Sequence, residues 1–240
     1  MAEEIMGQGI QAETERNVDV VFCIDGTGSM GPLIDNVKDN IKKFKEDLVE
    51  GLLAASTSIS SLRTKVIVFR DYKNDDPAIE ISDFFDLTTG ADDAAFENCV
   101  NSIEAFGGGD EPENGLEALY YAMTSDFNNK KKDRQVIVLF TDTDALPLKE
   151  RATEASYPTD MVDMDGLQAI WSCQGATSQM YKLGSRQKRL VLFAPEGTVY
   201  DDLSKVLDRT IYSPVVPSEG LKDLNFEDII QTLIASVASV

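Results

Sequence analysis

Three oxygen-bearing side chains sit in one short stretch, V21-F-C-I-D-G-T-G-S-M-G31, where Asp25, Thr27 and Ser29 alternate with glycine. One carboxylate and two hydroxyls at this spacing make a donor set for a hard divalent cation, which prefers oxygen ligands. Two other chemistries share the same letters. Gly26, Gly28 and Gly31 spell G-x-G-x-x-G, a dinucleotide fingerprint, and Cys23-x-Asp25-Gly-Thr27 is one residue short of the D-x-D-G-T phosphatase motif. The first needs an acidic residue about 20 positions on to hold a ribose, whereas the next strand ends near Asp71, and Asp25 would repel a pyrophosphate. The second needs a carboxylate nucleophile where Cys23 stands. A plainer reading is that Asp25, Thr27 and Ser29 shape a turn and cap a helix beginning near Met30.

Two further segments supply candidate oxygens. F140-T-D-T-D144 offers Asp142, with Asp144 two residues on, and F106-G-G-G-D-E-P-E113 offers Asp110 in a glycine-rich loop. Asp110 is open to two readings. It is a ligand, or it caps a helix that starts with Pro112 and Glu113, since D-x-P-E is also a helix-start pattern.

These residues work together only if the fold joins them. Four apolar runs without polar alternation, Val18–Ile24, Lys65–Phe69, Arg134–Phe140 and Arg189–Ala194, read as strands of a parallel sheet covered on both faces. Helical stripes lie between them, among them Leu33, Ile34, Val37, Ile41, Phe44 and Leu48, and a last one from Phe226 to Val237. Ala78–Thr88 alternates and follows the second strand after only a short turn, so it must run antiparallel at an edge. Thr210–Val216 is a peripheral strand interrupted by Pro214. The expected fold is α/β, a doubly wound (Rossmann-like), six-stranded, mostly parallel sheet with one antiparallel edge strand and helices on both faces. Residues 1–17 are expected to form a flexible lead-in and residues 18–240 a single domain. In such a sheet the ligand edge lies beyond the carboxyl ends of the strands, where Asp25 and Asp142 both fall.

At this point the chain resembles the von Willebrand factor A domain family. Its D-x-[ST]-x-S signature matches Asp25, Thr27 and Ser29, and its second acidic loop matches Asp142. The resemblance implies a metal-ion-dependent adhesion site holding Mg²⁺, with Ca²⁺ or Mn²⁺ as alternatives, in which Thr27 and Ser29 ligate directly. Asp25 and Asp142 then ligate directly or through water, and a carboxylate from another protein completes the shell. Where the family usually has a threonine, this chain has Gly109 followed by Asp110, so Asp110 stands as the substitute oxygen. The G-G-G-D-x-P-E form is similar to members found in bacterial and intracellular signalling proteins, which implies stress or defence signalling and a binding role rather than an enzymatic one.

Composition narrows the field further. The absence of histidine excludes histidine-dependent triads and imidazole acid–base chemistry. A net charge of −20 argues against a nucleic-acid surface. No stretch approaches the roughly 18 apolar residues of a membrane span. Three widely spaced cysteines read as reduced thiols of a cytoplasmic protein. The rival reading is a Mg²⁺-dependent phosphohydrolase using Asp25 and Asp142, since a two-carboxylate cation site can activate water. It lacks an obvious base in these loops. Finally, Arg16, Arg63, Lys65, K130-K-K-D-R134 and R186-Q-K-R189 all precede strands, so they should gather at the opposite, amino edge. They complement helix C-termini there, or they form a docking patch for an acidic partner built on Lys131, Lys132, Arg186 and Lys188.

Overall fold

The computed structural model describes residues 14–109, 112–174 and 181–239. The apolar runs form the centre of a sheet ordered β3-β2-β1-β5-β6-β7, with β4 also on β2. The strands are β1 (Thr14–Asp25), β2 (Thr57–Phe69), β3 (Ile79–Ile81), β4 (Phe85–Asp86), β5 (Asp133–Phe140), β6 (Lys188–Pro195) and β7 (Thr210–Val215). All pairings are parallel except those of β3 and β4, which run antiparallel to β2. This is the expected doubly wound fold, with the antiparallel strand in its expected place.

Two boundaries differ from expectation. The edge strand expected as one piece is split, giving seven strands instead of six, because the Ser82 hydroxyl accepts from the Val66 amide at 2.9 Å. Beyond that break, Phe84 packs on Phe127 while Phe85 packs on Phe96. The lead-in expected to run through residue 17 is also too long, since Thr14–Asn17 already pair with β2. The polar letters T-E-R-N carry no apolar signal, and these residues stay in the strand through backbone pairing and ties such as Asn17 Nδ2 to Asp133 Oδ1 at 2.8 Å. The rest of that lead-in, residues 1–13, lies outside the described residues.

Seven α-helices of the described residues cover the sheet. They are α1 (Gly31–Asn40), α2 (Phe44–Ala54), α3 (Asp93–Asn101), α4 (Gly115–Met123), α5 (Met164–Trp171), α6 (Val199–Val206) and α7 (Phe226–Ala238). The stripe from Leu33 to Leu48 spans α1, a 3₁₀ turn at Ile41–Lys43 and α2, and it keeps one apolar face throughout. Helices α1, α2, α3 and α7 bury one face of the sheet, and α4, α5 and α6 bury the other. Alternate strand residues divide between the two cores, Val20 and Phe22 to the first and Val21 and Cys23 to the second. No helix of the described residues is long and apolar enough to cross a membrane.

Several of the cations at the amino edge are committed to ties within the protein. Lys188 is buried, stacks over Trp171 and pairs with Asp208 at 2.8 Å. Arg63 pairs with Asp19 at 2.6 Å and Lys132 with Glu15 at 3.0 Å. Arg134 and Arg189 are buried and donate to the last carbonyls of α7, at Val237, Ser236 and Ser239. Of the four residues expected to build a docking patch, Lys188 is buried and so cannot contribute, while Lys131, Lys132 and Arg186 are exposed, Lys132 in a surface pair with Glu15.

Because the two cores lie on opposite faces, their losses should be independent. Leu119→Ala in α4 and Leu233→Ala in α7 should each lower unfolding free energy by about 2–5 kcal/mol. The double variant should match the sum to within roughly 0.5 kcal/mol, read from urea unfolding.

Candidate metal site

Strands β1 and β5 are neighbours and parallel, with Ile24 opposite Phe140. The chain therefore leaves both at the same edge, and residues 117 positions apart in sequence begin adjacent loops. Asp25, the last residue of β1, is fully buried. Its Oδ1 accepts from the Thr27 amide at 2.9 Å and the Thr27 hydroxyl at 2.6 Å, an Asx-type turn. Its Oδ2 accepts from the Thr141 hydroxyl at 2.7 Å. The Ser29 hydroxyl donates to Asp142 Oδ1 at 3.0 Å and lies 3.5 Å from Thr27 Oγ1. Asp142 Oδ2 accepts from the Gly220 amide at 2.7 Å.

Asp25 Oδ1, Thr27 Oγ1, Ser29 Oγ and Asp142 Oδ1 thus form a continuous row of oxygens. Thr27 and Asp142 are buried, while Ser29 is exposed and opens the row to solvent. Thr27 gives its proton to Asp25 and Ser29 gives its proton to Asp142, which leaves hydroxyl lone pairs for a cation. Neighbouring ligands of a small octahedral cation with bonds of about 2.0–2.1 Å stand roughly 3 Å apart, and the 3.0 and 3.5 Å separations fit. Among the described residues no three carboxylates or thiols converge on one point, so the donor set is two carboxylates with hydroxyls. Its hard-oxygen character suits Mg²⁺, Mn²⁺ or Ca²⁺. Burial pushes the Asp25 carboxyl up to about 6; the hydrogen bonds from Thr27 and Thr141 oppose the shift and the Asp142 charge adds to it. Two close, desolvated carboxylates are what a cation would relieve.

Two further loops brace this row. In the glycine-rich loop, the Phe106 amide donates to Gly26 O at 3.0 Å, and the Gly28 amide reaches back to Gly107 O at 3.4 Å. Gly108 has φ +77°, and a Cβ there would stand 2.8 Å from the Thr27 Cβ, so only glycine lies this close over the site. Arg70, buried at the end of β2, ties the assembly together. Its Nε donates to Gly26 O at 3.1 Å, Nη2 to Glu104 O at 2.8 Å and Nη1 to Glu80 at 2.9 Å, and its guanidinium lies 3.8 Å from the Phe106 ring centre. The second loop follows β7. The Ser218 amide donates to Asp142 O at 2.8 Å, and Gly220, at φ +61°, packs where a Cβ would collide with Ser29 O.

Four of the five expected site residues, Asp25, Thr27, Ser29 and Asp142, are brought together. The fifth, Asp110, lies outside the described residues. Asp144 is placed elsewhere, since its Oδ1 accepts from the Ala145 amide at 2.8 Å and the Val199 amide at 2.9 Å, holding the start of α6. Sequence reasoning missed Thr141, Arg70 and the Ser218–Gly220 turn. Thr141 and Arg70 each stand directly beyond a strand on the site edge, a position that could have flagged them. Nothing in the sequence links Gly220 to Asp142.

The sequence model for the von Willebrand factor type A domain matches residues 19–166. No curated protein matches the chain in sequence. Among solved structures, the chain is similar to the pilus adhesin SpaC of Lactobacillus rhamnosus GG, with TM-score 0.58, 8% identity and coverage of 93% of this chain and 31% of the other. It is also similar to a von Willebrand factor type A protein of Catenulispora acidiphila, with TM-score 0.52, 15% identity and coverage of 93% and 43%. A third likeness is to proximal thread matrix protein 1 of the mussel byssus, with TM-score 0.51, 12% identity and coverage of 95% and 50%. At these identities the likeness is one of fold. The chain spans between 31% and 50% of the length of these solved chains.

Thr141→Val keeps the shape of the side chain but leaves Asp25 Oδ2 without its donor. Unfolding free energy should fall by about 1.5–3 kcal/mol, the range for a hydrogen bond to a charged group, measured by urea denaturation in chelator. An unchanged midpoint would show that this bond is not formed in solution.

Proposed function

The chain belongs to the von Willebrand factor type A domain family, and on that premise we propose that it is a metal-dependent protein-binding module rather than an enzyme. The observation that carries the reading is the row Asp25–Thr27–Ser29–Asp142, two carboxylates and two hydroxyls from different loops at ligand-like separations with one exposed end. Thr27 and Ser29 hold a divalent cation, Mg²⁺ by preference with Ca²⁺ or Mn²⁺ as alternatives, and Asp25 and Asp142 orient those hydroxyls and balance the charge. When bound, the cation supplies an open coordination position that a carboxylate of another protein fills. The exposure of Ser29, against the burial of Asp25, Thr27 and Asp142, supports approach from that one side. Support for the non-enzymatic reading is that Arg70, the buried cation nearest the loops, is engaged by Gly26, Glu104 and Glu80. It is thus committed elsewhere than to a transferred phosphoryl group. Three unpaired cysteines support a reducing, cytoplasmic setting, and the bacterial-type loop supports a place in stress or defence signalling.

Two measurements test the proposal. Mg²⁺ or Mn²⁺ should raise the melting temperature of the wild-type protein, since an ion held only by the native state stabilises it by mass action, and Asp25→Ala or Ser29→Ala should abolish the shift. In Mg²⁺, a Glu-bearing peptide should perturb the amide resonances of Thr27 and Ser29, and EDTA or a Gln peptide should leave them unmoved. A metal-induced shift without any response to the carboxylate would reduce the ion to a structural role.

A further inference from the structure

The mouth of the site does not end at Asp142. A cleft of about 340 Å³ lies above Asp142 and Asp144, walled by Pro112, Pro195 and Pro217. A second hollow of about 500 Å³ runs along β7 and the turn after it. The two share Glu196 and Pro217, so they form one trough that leads from Asp142 to the outer edge of the sheet. Each is within the size of side-chain and ligand pockets, about 300–1,000 Å³.

In a chain of net charge −20, acidity alone marks no site. What distinguishes this trough is an apolar floor beside carboxylates that the fold leaves unused. The floor is made by Pro214, Val215, Val216 and Leu224, and Val216 is 51% exposed, one of the few large apolar side chains left in water. Along the rim, Glu219 is paired with Lys222, but neither Glu196 nor Asp223 is in an ion pair among the described residues. Four prolines line the two clefts, and the fixed φ of each reduces the backbone freedom that an occupant would have to restrain. The turn that forms one wall is bonded to Asp142 through Ser218 and Gly220, which fixes the trough relative to the oxygen row.

We propose that this trough is the specificity subsite of the module. It receives an extended segment of a partner protein that carries an apolar side chain and a Lys or Arg beyond the carboxylate presented to the oxygen row. The apolar side chain covers Val216 and Leu224, and the cation lies between Glu196 and Asp223. The inference rests on the proposed carboxylate-binding reading for the position of the first anchor, and charge complementarity selects the second. A basic residue at the rim also speeds encounter with an acidic surface, an effect that falls with added salt.

The test uses the full chain and fluorescein-labelled peptides of equal length. Each has one Glu followed, after spacers of increasing length, by Leu-Lys, Leu-Glu or Ser-Lys. In Mg²⁺ the Leu-Lys peptide should bind about tenfold tighter than Leu-Glu and should be weakened by salt, with Ser-Lys between them. Glu196→Lys and Asp223→Lys should abolish or invert that order while leaving the Mg²⁺-induced melting shift intact, which shows that the fold and the metal site survive. Equal affinity for all three peptides, with Mg²⁺ dependence retained, would overturn the subsite and leave the carboxylate reading standing. A preference for Leu-Lys that persists in EDTA and vanishes in Glu196→Lys would keep the subsite and overturn the carboxylate reading. No binding of any peptide, or concentration-dependent dimerisation in sedimentation that Val216→Asp abolishes, would overturn the subsite, the latter by assigning the trough to a second copy of the chain.

Discussion

The constraint on which the structure turns is the burial of the Asp25 carboxylate beside Asp142. A carboxylate removed from water without compensation costs several kcal/mol, and here a second acid lies close enough to raise that cost. The fold answers with hydrogen bonds to every carboxylate oxygen of the pair, from Thr27, Thr141, Ser29 and Gly220. Dipoles stabilise the charge without cancelling it. The net negative charge stays concentrated where Ser29 opens the row to solvent, which suits a cation site and would be wasteful as mere turn formation.

Holding those dipoles still is the task of the surrounding loops, and Arg70 shows how it is done. A guanidinium offers five donors in a fixed fork, and this one spends them on carbonyls of the Asp25 loop and the glycine-rich approach, with Glu80 as its ion-pair partner. The Phe106 ring covers its face. A lysine at this position could not bridge the same points, because an ammonium group is a single centre without the planar span. Gly108 and Gly220 complete the closure, one over Thr27 and the other against Ser29, at conformations and distances that a side chain would forbid.

Much of this is legible in the sequence, and the limits of that legibility have physical causes. The continuous apolar runs fixed the parallel strands because a strand buried on both faces has no polar alternation to hide it, as Val136–Phe140 and Leu190–Ala194 show. Parallel pairing of β1 and β5 then made the meeting of Asp25 and Asp142 a consequence of topology. The polar start of β1 was not legible, since Thr14–Asn17 pair through backbone groups that leave no mark on side-chain type. Nor was the split between β3 and β4, which depends on one serine hydroxyl substituting for a ladder bond. Gly220 was beyond reach for a different reason, because a contact between residues 78 positions apart is set by where a whole strand and its turn come to rest.

The distribution of charge over the two edges follows from the same topology. In a doubly wound sheet the crossover helices begin at the carboxyl edge and end at the amino edge, so helix dipoles favour anions at the first and cations at the second, each by about 0.3–1 kcal/mol. Asp144 at the start of α6 and the Arg134–Arg189 pair at the end of α7 are the local expressions of that rule. Arg134, Arg189 and Lys188 meet carbonyls and carboxylates of the protein itself and are withdrawn from solvent, while Lys131 and Arg186 stay exposed. At the carboxyl edge, Ser29 leaves the oxygen row open, and Glu196 and Asp223 are in no ion pair among the described residues. Both edges obey the same electrostatics, and it is at the carboxyl edge that carboxylates and hydroxyls from separate loops meet in an oxygen row open to solvent at Ser29.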